Sequence, residues 1–384
     1  MGHQNTVFHQ VLANIPWRQF NDLVEQHQSD KGVRRLDTKT QLIAMLFSQI
    51  SHTKGLRGLV SGYGSHHRRL YHLGAGKISR STLADANAAR PAEVFTGLFS
   101  ALLGKVRSKV ADTARECVHL IDSTTVRLNR LSGEWAGFSE GVHGAKAHIV
   151  YDPDQDCPIH AVITARNVND ITAAKTMPIK PGATYVFDLG YYDYAWWAEL
   201  NAADCRIVTR LKANTPLKDV GERLIQPGGT ILSDRTGLLR ARQAKNRHNP
   251  MNGRVREVRV KTDTGKILRL LTNDLTAPAQ VISDLYKRRW AIELFFRWVK
   301  QTLKIKHFLG NSENAVRIQI TVALIAFLLL RLTQRVLDTT IGSLEFATLI
   351  KTNLMHRRTM RDLLGLPEER IPRGNDNQGM FQWA

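Results

Sequence analysis

Two short apolar runs, each ending in an aspartate, constrain the fold of this chain more than any other feature. Residues 117–122 read CVHLID and residues 184–188 read TYVFD. Apolar runs of this length are typical of strands that are buried on both faces of a sheet. The sequence therefore predicts two central strands that carry Asp122 and Asp188 at their ends.

The order of the neighbouring elements indicates the kind of sheet. Five more elements are predicted: strands at 145–151, 158–164 and 205–210, and helices at 169–177 and 191–200. The first two of these strands flank a turn rich in Pro and Asp and form a hairpin. This order of elements, three strands followed by strands that alternate with helices, is the order of an α/β ribonuclease-H-like fold. In that fold the first and fourth strands lie side by side, so Asp122 and Asp188 would project into one crevice.

Residues 1–110 are predicted to be helical. Apolar residues recur there at helical spacing, and Asp37 and Ser79 are placed to cap helices. Six basic side chains gather around a glycine-rich stretch: His66, His67, Arg68, Arg69, Lys77 and Arg80. Short helices with such a cluster are typical of a helix-turn-helix-like DNA-binding module. A plain helical bundle with a solvated basic edge explains the pattern about as well.

Residues 212–275 interrupt this order of strands and helices with β-type alternation and a strong positive charge. Between residues 212 and 274 the chain carries 14 Lys or Arg against 6 Asp or Glu. We interpret this segment as a β-rich insertion with a basic surface. The chain then divides into three predicted parts. They are a helical N-terminal DNA-binding domain (1–110), a ribonuclease-H-like catalytic domain (111–340) that contains the insertion, and a helical and polar C-terminal tail (341–384).

The net charge of the chain indicates the class of its partner. Lys and Arg number 54 against 34 Asp and Glu, a formal charge of +20 that favours binding to a polyanion. Nucleic acid is the favoured polyanion, and an anionic membrane surface is the alternative. The longest apolar run, 322–330, is far shorter than the roughly 20 residues that span a bilayer, so no membrane span is expected. The N-terminus lacks a signal-peptide pattern, which predicts a cytoplasmic protein.

A helix is predicted over residues 286–300, YKRRWAIELFFRWVK, within a longer helix that begins near Pro278. At about 100° per residue, its polar face carries one carboxylate among cations: Arg289, Glu293, Arg297, Lys300 and Lys304. A neighbouring apolar stripe would seat the helix on a core: Leu285, Ile292, Phe296, Val299 and Leu303. An amphipathic helix with a solvated basic face is the simpler interpretation of this periodicity.

Three carboxylates could together support phosphodiester cleavage. That reaction uses two divalent cations about 4 Å apart, and such cations prefer carboxylate oxygens. Asp122, Asp188 and Glu293 at one place would repel each other without metal, so their grouping makes sense chiefly as a cation site. Magnesium is the expected ion. Taken singly, the first two could equally cap a strand or form a turn, and three lower-ranked aspartates compete for the same roles: Asp112, Asp170 and Asp193.

The spacing Tyr-x2-Arg-x3-Glu-x6-Lys, which begins at Tyr286, resembles the YREK signature of bacterial DDE transposases of the insertion-sequence four group. The resemblance extends over residues 117–335 and includes both strand-end aspartates and the basic segment before the glutamate. It implies that Asp122, Asp188 and Glu293 are the catalytic, metal-binding residues. Mg²⁺ is the implied cofactor, with Mn²⁺ able to replace it.

The same helix supplies the residues predicted to bind DNA: Tyr286, Arg289, Trp290, Arg297, Lys300 and Lys304. The resemblance implies that Tyr286, Arg289 and Lys300 hold phosphates at the transposon end. This agrees with their chemistry, since Arg and Lys bind phosphate and a tyrosine hydroxyl can donate to it. Trp290 lies on the polar side of the helix, where an indole could stack on a flipped base or simply pack.

The resemblance implies a cut-and-paste transposase that acts on double-stranded DNA, at transposon ends and at a target. Water nicks the transposon end, the freed 3′-hydroxyl forms a hairpin with the opposite strand, and the reopened end joins target DNA. The implied assembly is a homodimer that pairs two ends and is nucleoid-associated when bound to DNA. The alternatives are a nuclease of the same fold that never joins DNA, and a non-catalytic DNA-binding protein descended from a transposase.

Overall fold

The computed structural model of the chain describes residues 5–108, 116–139, 142–225, 228–244, 247–302 and 308–367. They form a mixed α/β fold in which a helical N-terminal region packs against a large sheet. The N-terminal helices are α1 (Val7–Leu12), α2 (Trp17–Gln26), α3 (Thr38–Ser51), α4 (Gly55–Gly64), α5 (His67–Leu70), α6 (Arg80–Ala89) and α7 (Ala92–Ser108). The side chains of Asp37 and Ser79 cap α3 and α6, as predicted.

Ten strands of the described residues form one sheet, and two more form a separate pair. The strands are β1 (Val118–Arg127), β2 (Gly137–Ser139), β3 (Val142–Asp152), β4 (Cys157–Ala165), β5 (Thr184–Phe187), β6 (Arg206–Arg210), β7 (Lys218–Glu222), β8 (Ile231–Leu238), β9 (Arg242–Ala244), β10 (Arg247–His248), β11 (Arg254–Lys261) and β12 (Ile267–Thr272). Across the large sheet the order is β2, β3, β1, β5, β6, β12, β11, β8 and β7, with β4 beside β3. The hairpin of β3 and β4 is present as predicted.

The two aspartates follow residues that are paired across β1 and β5. These strands are parallel neighbours, and Ile121 lies opposite Phe187, so Asp122 and Asp188 come next on adjacent chains of the sheet. Ile121 and Phe187 belong to the core on one face of the sheet. Because side chains alternate between faces along a strand, both aspartates are directed to the other face.

The prediction that Asp122 ends its strand is wrong. β1 continues to Arg127 because β3 pairs with it as far as Gly144, well past the end of β5. Asp122 therefore lies inside the strand, with Ile149 as its partner on β3. The ladder with β3 fixes the backbone of Asp122 at the point where the chain of β5 leaves the sheet.

The basic segment after β6 continues the same sheet outward. β12 pairs antiparallel with β6, and β11, β8 and β7 follow. Buried Arg256 forms an ion pair with Asp234 at 2.7 Å. Buried Glu257 is bound by three arginines of these strands: Arg235, Arg259 and Arg269. Part of the positive charge of the segment is therefore neutralised inside the protein.

Helices cover both faces of the sheet. They are α8 (Gly133–Ala136), α9 (Asp170–Ala174), α10 (Tyr194–Ala202), α11 (Ala279–Arg288), α12 (Trp290–Thr302), α13 (Glu313–Val336), α14 (Ser343–Asn353) and α15 (Met360–Leu363). On the face of Ile121 and Phe187, α10 packs through Trp196 and Trp197. The other face packs against α12 and α13, and α13 also contacts α3, α6 and α7. The N-terminal helices and the sheet therefore share one hydrophobic core.

The long helix predicted through the YREK residues is interrupted at Arg289, so it is two helices, α11 and α12. The Arg289 amide donates to the Tyr286 carbonyl (3.1 Å), and the Ile292 amide donates to the Arg289 carbonyl (3.2 Å). These i to i+3 bonds tighten the turn without a proline or glycine, so no residue type marks the break. The described part of the predicted apolar stripe is buried: Leu285, Ile292, Phe296 and Val299. Leu303 lies outside the described residues.

Among the described residues, α13 is the one helix long and apolar enough to cross a membrane. Its most apolar window is 89% buried inside the protein. It lies between the sheet and the N-terminal helices, so its composition suits a core helix, as expected from the apolar run at 322–330.

Candidate active site

Asp122 lies on the face of the sheet where β1 contacts α12, with 19% of its side chain exposed. We call the region between β1 and α12 around Asp122 the crevice. The pKa of Asp122 is raised from 3.8 to about 6, first because the group is buried. The negative charges of Asp188 and Glu293 raise this pKa as well, whereas the Ser123 amide and Arg289 lower it. Asp188 and Glu293 are therefore close enough to Asp122 for their charges to act on its carboxyl group.

Asp188 begins the turn that follows β5. Its Oδ1 accepts a hydrogen bond from the Gly190 amide (2.7 Å) and caps a short 3₁₀ turn, Leu189–Tyr191. A Cβ at position 190 would lie 3.0 Å from Asp188 Oδ1 and 3.1 Å from Asp170 Oδ2. Glycine at this position therefore allows two carboxylates to approach the same stretch of backbone.

Arg289 joins Asp122 to Glu293. Its Nη1 lies 3.4 Å from Asp122 Oδ2, and its Nη2 lies 2.5 Å from Glu293 Oε1. The guanidinium also lies 5.8 Å from the ring centroid of the buried Tyr286. The break at Arg289 and this pair of contacts hold the carboxylate of α12 next to that of β1, although Arg289 and Asp122 are 167 positions apart in sequence.

The other residues predicted to bind DNA differ in exposure. Burial lowers the pKa of Lys300, and the nearby negative charge of Asp122 partly offsets that effect. Trp290 is 50% exposed and Arg297 is exposed. Lys304 lies outside the described residues. Lys300 thus belongs to the crevice, while Trp290 and Arg297 lie on the surface of α12.

The donor set of the crevice suits a divalent cation. Carboxylate oxygens are the ligands that Mg²⁺ and Mn²⁺ prefer, and a cation would relieve the repulsion that raises the pKa of Asp122. Within the described ranges, no group of three or more His, Cys, Asp or Glu side chains is arranged so that it could hold a metal ion as it stands. Arg289 instead places a positive charge between Asp122 and Glu293.

Other candidates from the sequence lie elsewhere. Asp193 caps α10 and forms an ion pair with Lys175 at 3.1 Å, which is a structural role. His119 is a buried histidine that packs edge to face against Tyr185, on the opposite face from Asp122. Asp112 lies outside the described residues.

Asp170 is closer to the crevice than its sequence context indicates. Its Oδ1 accepts hydrogen bonds from Ser123 Oγ (2.9 Å) and Lys146 Nζ (3.0 Å), and its Oδ2 faces Gly190. From the sequence alone we rank Asp170 low, because no buried apolar strand precedes this residue. The contact that places it joins residues 47 positions apart, and no local pattern reports such a contact.

Two regions of the chain match known families. Residues 113–329 match the family described as the transposase DDE domain, and residues 3–76 match a domain of unknown function, DUF4372. The first match covers more than half of the chain and includes Asp122, Asp188 and Glu293. The chain belongs to the DDE transposase family. DDE transposase domains generally use divalent metal ions and act on DNA, so a metal-dependent, DNA-acting enzyme is expected here.

Relatives of this DDE transposase include insertion-sequence proteins. A putative transposase, y4zB, of Sinorhizobium fredii is 41% identical over 313 residues, which are 79% of this chain and 86% of that protein. A probable transposase for insertion sequence element IS5377 of Geobacillus stearothermophilus is 28% identical over 262 residues, 67% of this chain and 68% of that protein. The predicted resemblance to insertion-sequence DDE transposases is confirmed.

A solved structure is also similar to this DDE transposase. It is the piggyBac transposase synaptic complex with hairpin DNA, with a TM-score of 0.46 and 11% sequence identity. The similarity covers 98% of this chain and 88% of that chain.

Proposed function

We propose that this DDE transposase is a cut-and-paste enzyme that binds the terminal inverted repeats of a transposon, cleaves its ends and joins them to target DNA. Water attacks the scissile phosphorus and the bond to the 3′-oxygen breaks, which frees a 3′-hydroxyl. That hydroxyl attacks the opposite strand and forms a hairpin, which water reopens before the 3′-hydroxyl attacks target DNA. Each step exchanges one P–O bond for another, so a single crevice can serve them all.

Asp122, Asp188 and Glu293 would hold the cations, Mg²⁺ with Mn²⁺ able to replace it. When bound, two such cations activate the attacking oxygen and stabilise the departing one. The proposal is carried by one observation. The first two carboxylates follow paired residues of parallel neighbouring strands, and Arg289 holds the third beside Asp122.

Arg289 would exchange partners when DNA binds. In the protein alone its guanidinium lies between Asp122 and Glu293. A phosphate offers a guanidinium the same bidentate pair of oxygens as a carboxylate. Arg289 can therefore transfer to a phosphate of the transposon end, with Tyr286 and Lys300 contacting the same backbone.

The remaining DNA contacts would come from the surface of α12 and from Lys304. Trp290 is half exposed, which leaves an indole face available for stacking on a base. Arg297 is exposed on the same helix. We assign phosphate binding to Arg297 and Lys304 because cations near a cleavage crevice add sequence-independent affinity for the backbone.

The fold we propose for the catalytic domain (111–340) is ribonuclease-H-like, with residues 212–275 as a β-rich insertion. Its support is the order β3, β1, β5 and β6, in which β3 is antiparallel to β1 and the other strands are parallel. We propose residues 1–110 as a DNA-binding domain and 341–384 as a C-terminal tail. Residues 1–110 expose four of the basic side chains of the predicted cluster: His67, Arg68, Lys77 and Arg80.

The proposed partners are double-stranded DNA and a second copy of the chain. The formal charge of +20 supports DNA binding, and cutting two transposon ends in one event requires two active sites, hence a homodimer on DNA. We propose no membrane partner. The protein would act in the cytoplasm and associate with the nucleoid when bound to DNA.

The decisive experiment compares Glu293→Gln with Glu313→Gln. Both are helix glutamates that pair with an arginine four positions away, but Glu313 pairs with Arg317 on the surface of α13. Each purified protein is incubated with labelled terminal-repeat DNA, Mg²⁺ and a target plasmid. Glu293→Gln should abolish cleavage and keep end binding, whereas Glu313→Gln should keep both.

The same assay separates the alternatives. Cleavage that survives in Glu293→Gln would remove Glu293 from the mechanism. Cleaved ends without joined product in the wild type would favour a nuclease that does not join DNA. End binding without any cleavage in the wild type would favour a non-catalytic DNA-binding protein.

A further inference from the structure

Asp170 contacts the chain segments that carry both catalytic aspartates. It is the first residue of α9, and a quarter of its side chain is exposed. Its Oδ1 accepts a hydrogen bond from the hydroxyl of Ser123, the residue that follows Asp122 in β1. Asp170 therefore connects α9 to the strand that presents the first carboxylate.

The other oxygen of Asp170 lies against the turn that presents the second carboxylate. Asp170 Oδ2 and Asp188 Oδ1 lie 3.1 and 3.0 Å from the same point, the place of a Cβ on Gly190. Asp188 itself accepts from the Gly190 amide. Asp170 Oδ2 therefore lies against the 3₁₀ turn, and α9 packs on that turn.

Lys146 of β3 forms an ion pair with Asp170. Its Nζ lies 3.0 Å from Asp170 Oδ1 and also donates to the carbonyl of Val168 (2.9 Å), just before α9. The cation of β3 therefore offsets the charge of Asp170 and holds α9 against the sheet. With Lys146 and Ser123 both bound to Oδ1, the geometry of Asp170 suits a residue that orients its neighbours.

We propose that Asp170 is a positioning residue that sets the distance between Asp122 and Asp188. It acts through Ser123 on one side and through the turn at Gly190 on the other. The proposal rests on the proposed function, because it assumes that Asp122 and Asp188 share divalent cations. Removing a group that orients metal ligands in this way typically weakens metal binding by about 10-fold to 100-fold.

The test measures Mn²⁺ binding to the full-length protein without DNA, by the loss of the free-ion electron paramagnetic resonance signal. Asp170→Ala should weaken Mn²⁺ binding by about 10-fold. Ser123→Ala removes one link and should cause a smaller loss in the same direction. Asp193→Ala is the matched control, since Asp193 also pairs with a lysine and also lies at the start of a helix. It should bind Mn²⁺ as the wild type does.

The Asp122→Ala variant separates the two proposals. Mn²⁺ binding that is lost in Asp122→Ala but normal in Asp170→Ala and Ser123→Ala would overturn the role of Asp170 and leave the proposed function intact. Binding that is unaffected by Asp122→Ala would overturn both. If Asp170→Ala does not fold, Ser123→Ala decides, and normal Mn²⁺ affinity in that variant would overturn the proposal.

Discussion

The ionised side chain of Asp122 should destabilise the folded protein when metal is absent. Burial and the charges of Asp188 and Glu293 raise its pKa from 3.8 to about 6. In the unfolded chain the carboxyl keeps its ordinary pKa, so folding at neutral pH brings an unfavourable charge into the crevice. Asp122→Asn removes that charge and keeps the shape of the side chain.

The size of the effect follows from the pKa. A pKa difference of about 2 between the folded and unfolded states corresponds to about 3 kcal/mol of unfolding free energy. Below about pH 4 the carboxyl is protonated in both states, and the penalty is small. Between about pH 4 and about pH 6 the folded state binds more protons than the unfolded state, so stability falls as pH rises, and above about pH 6 the penalty is constant.

Urea unfolding in the presence of EDTA measures this prediction. Asp122→Asn should raise the free energy of unfolding by up to about 3 kcal/mol near pH 7.5 and by much less near pH 4. Asp154→Asn is the control, because Asp154 forms a partly exposed ion pair with Arg288. Its effect should stay below about 1 kcal/mol. The reasoning would be refuted if Asp122→Asn did not raise the free energy of unfolding near pH 7.5, or raised it equally near pH 4.

Three further substitutions test other contacts. Gly190→Ala should lower cleavage by about 10-fold or more, because its Cβ would lie within 3.1 Å of two carboxylate oxygens; a gel-shift assay should show end binding unchanged. Glu257→Gln should lower the free energy of unfolding by about 3 kcal/mol in urea, because it leaves three arginines around a buried amide. Trp290→Ala should weaken transposon-end binding by about 10-fold in fluorescence anisotropy, the loss of one stacked base, without changing stability. Wild-type cleavage by Gly190→Ala, wild-type stability of Glu257→Gln or wild-type end binding by Trp290→Ala would contradict the role given to that residue.

The amino-acid sequence by itself determined the elements and the family. The apolar runs before Asp122 and Asp188 specify buried strands, because only a sheet covered on both faces buries such runs. The hairpin and the caps at Asp37 and Ser79 follow from equally local rules. The YREK spacing indicates the family because it combines four residue types at fixed gaps in the sequence.

Only the tertiary structure decided the details of the crevice. Asp122 lies inside β1 because β3 extends the ladder, and the basic segment neutralises part of its own charge because its strands continue the central sheet. The break at Arg289 carries no marker of residue type. Asp170 meets Ser123 across 47 positions of sequence. These features depend on contacts between distant segments, and such contacts are set by how strands and helices pack, which local residue patterns do not encode.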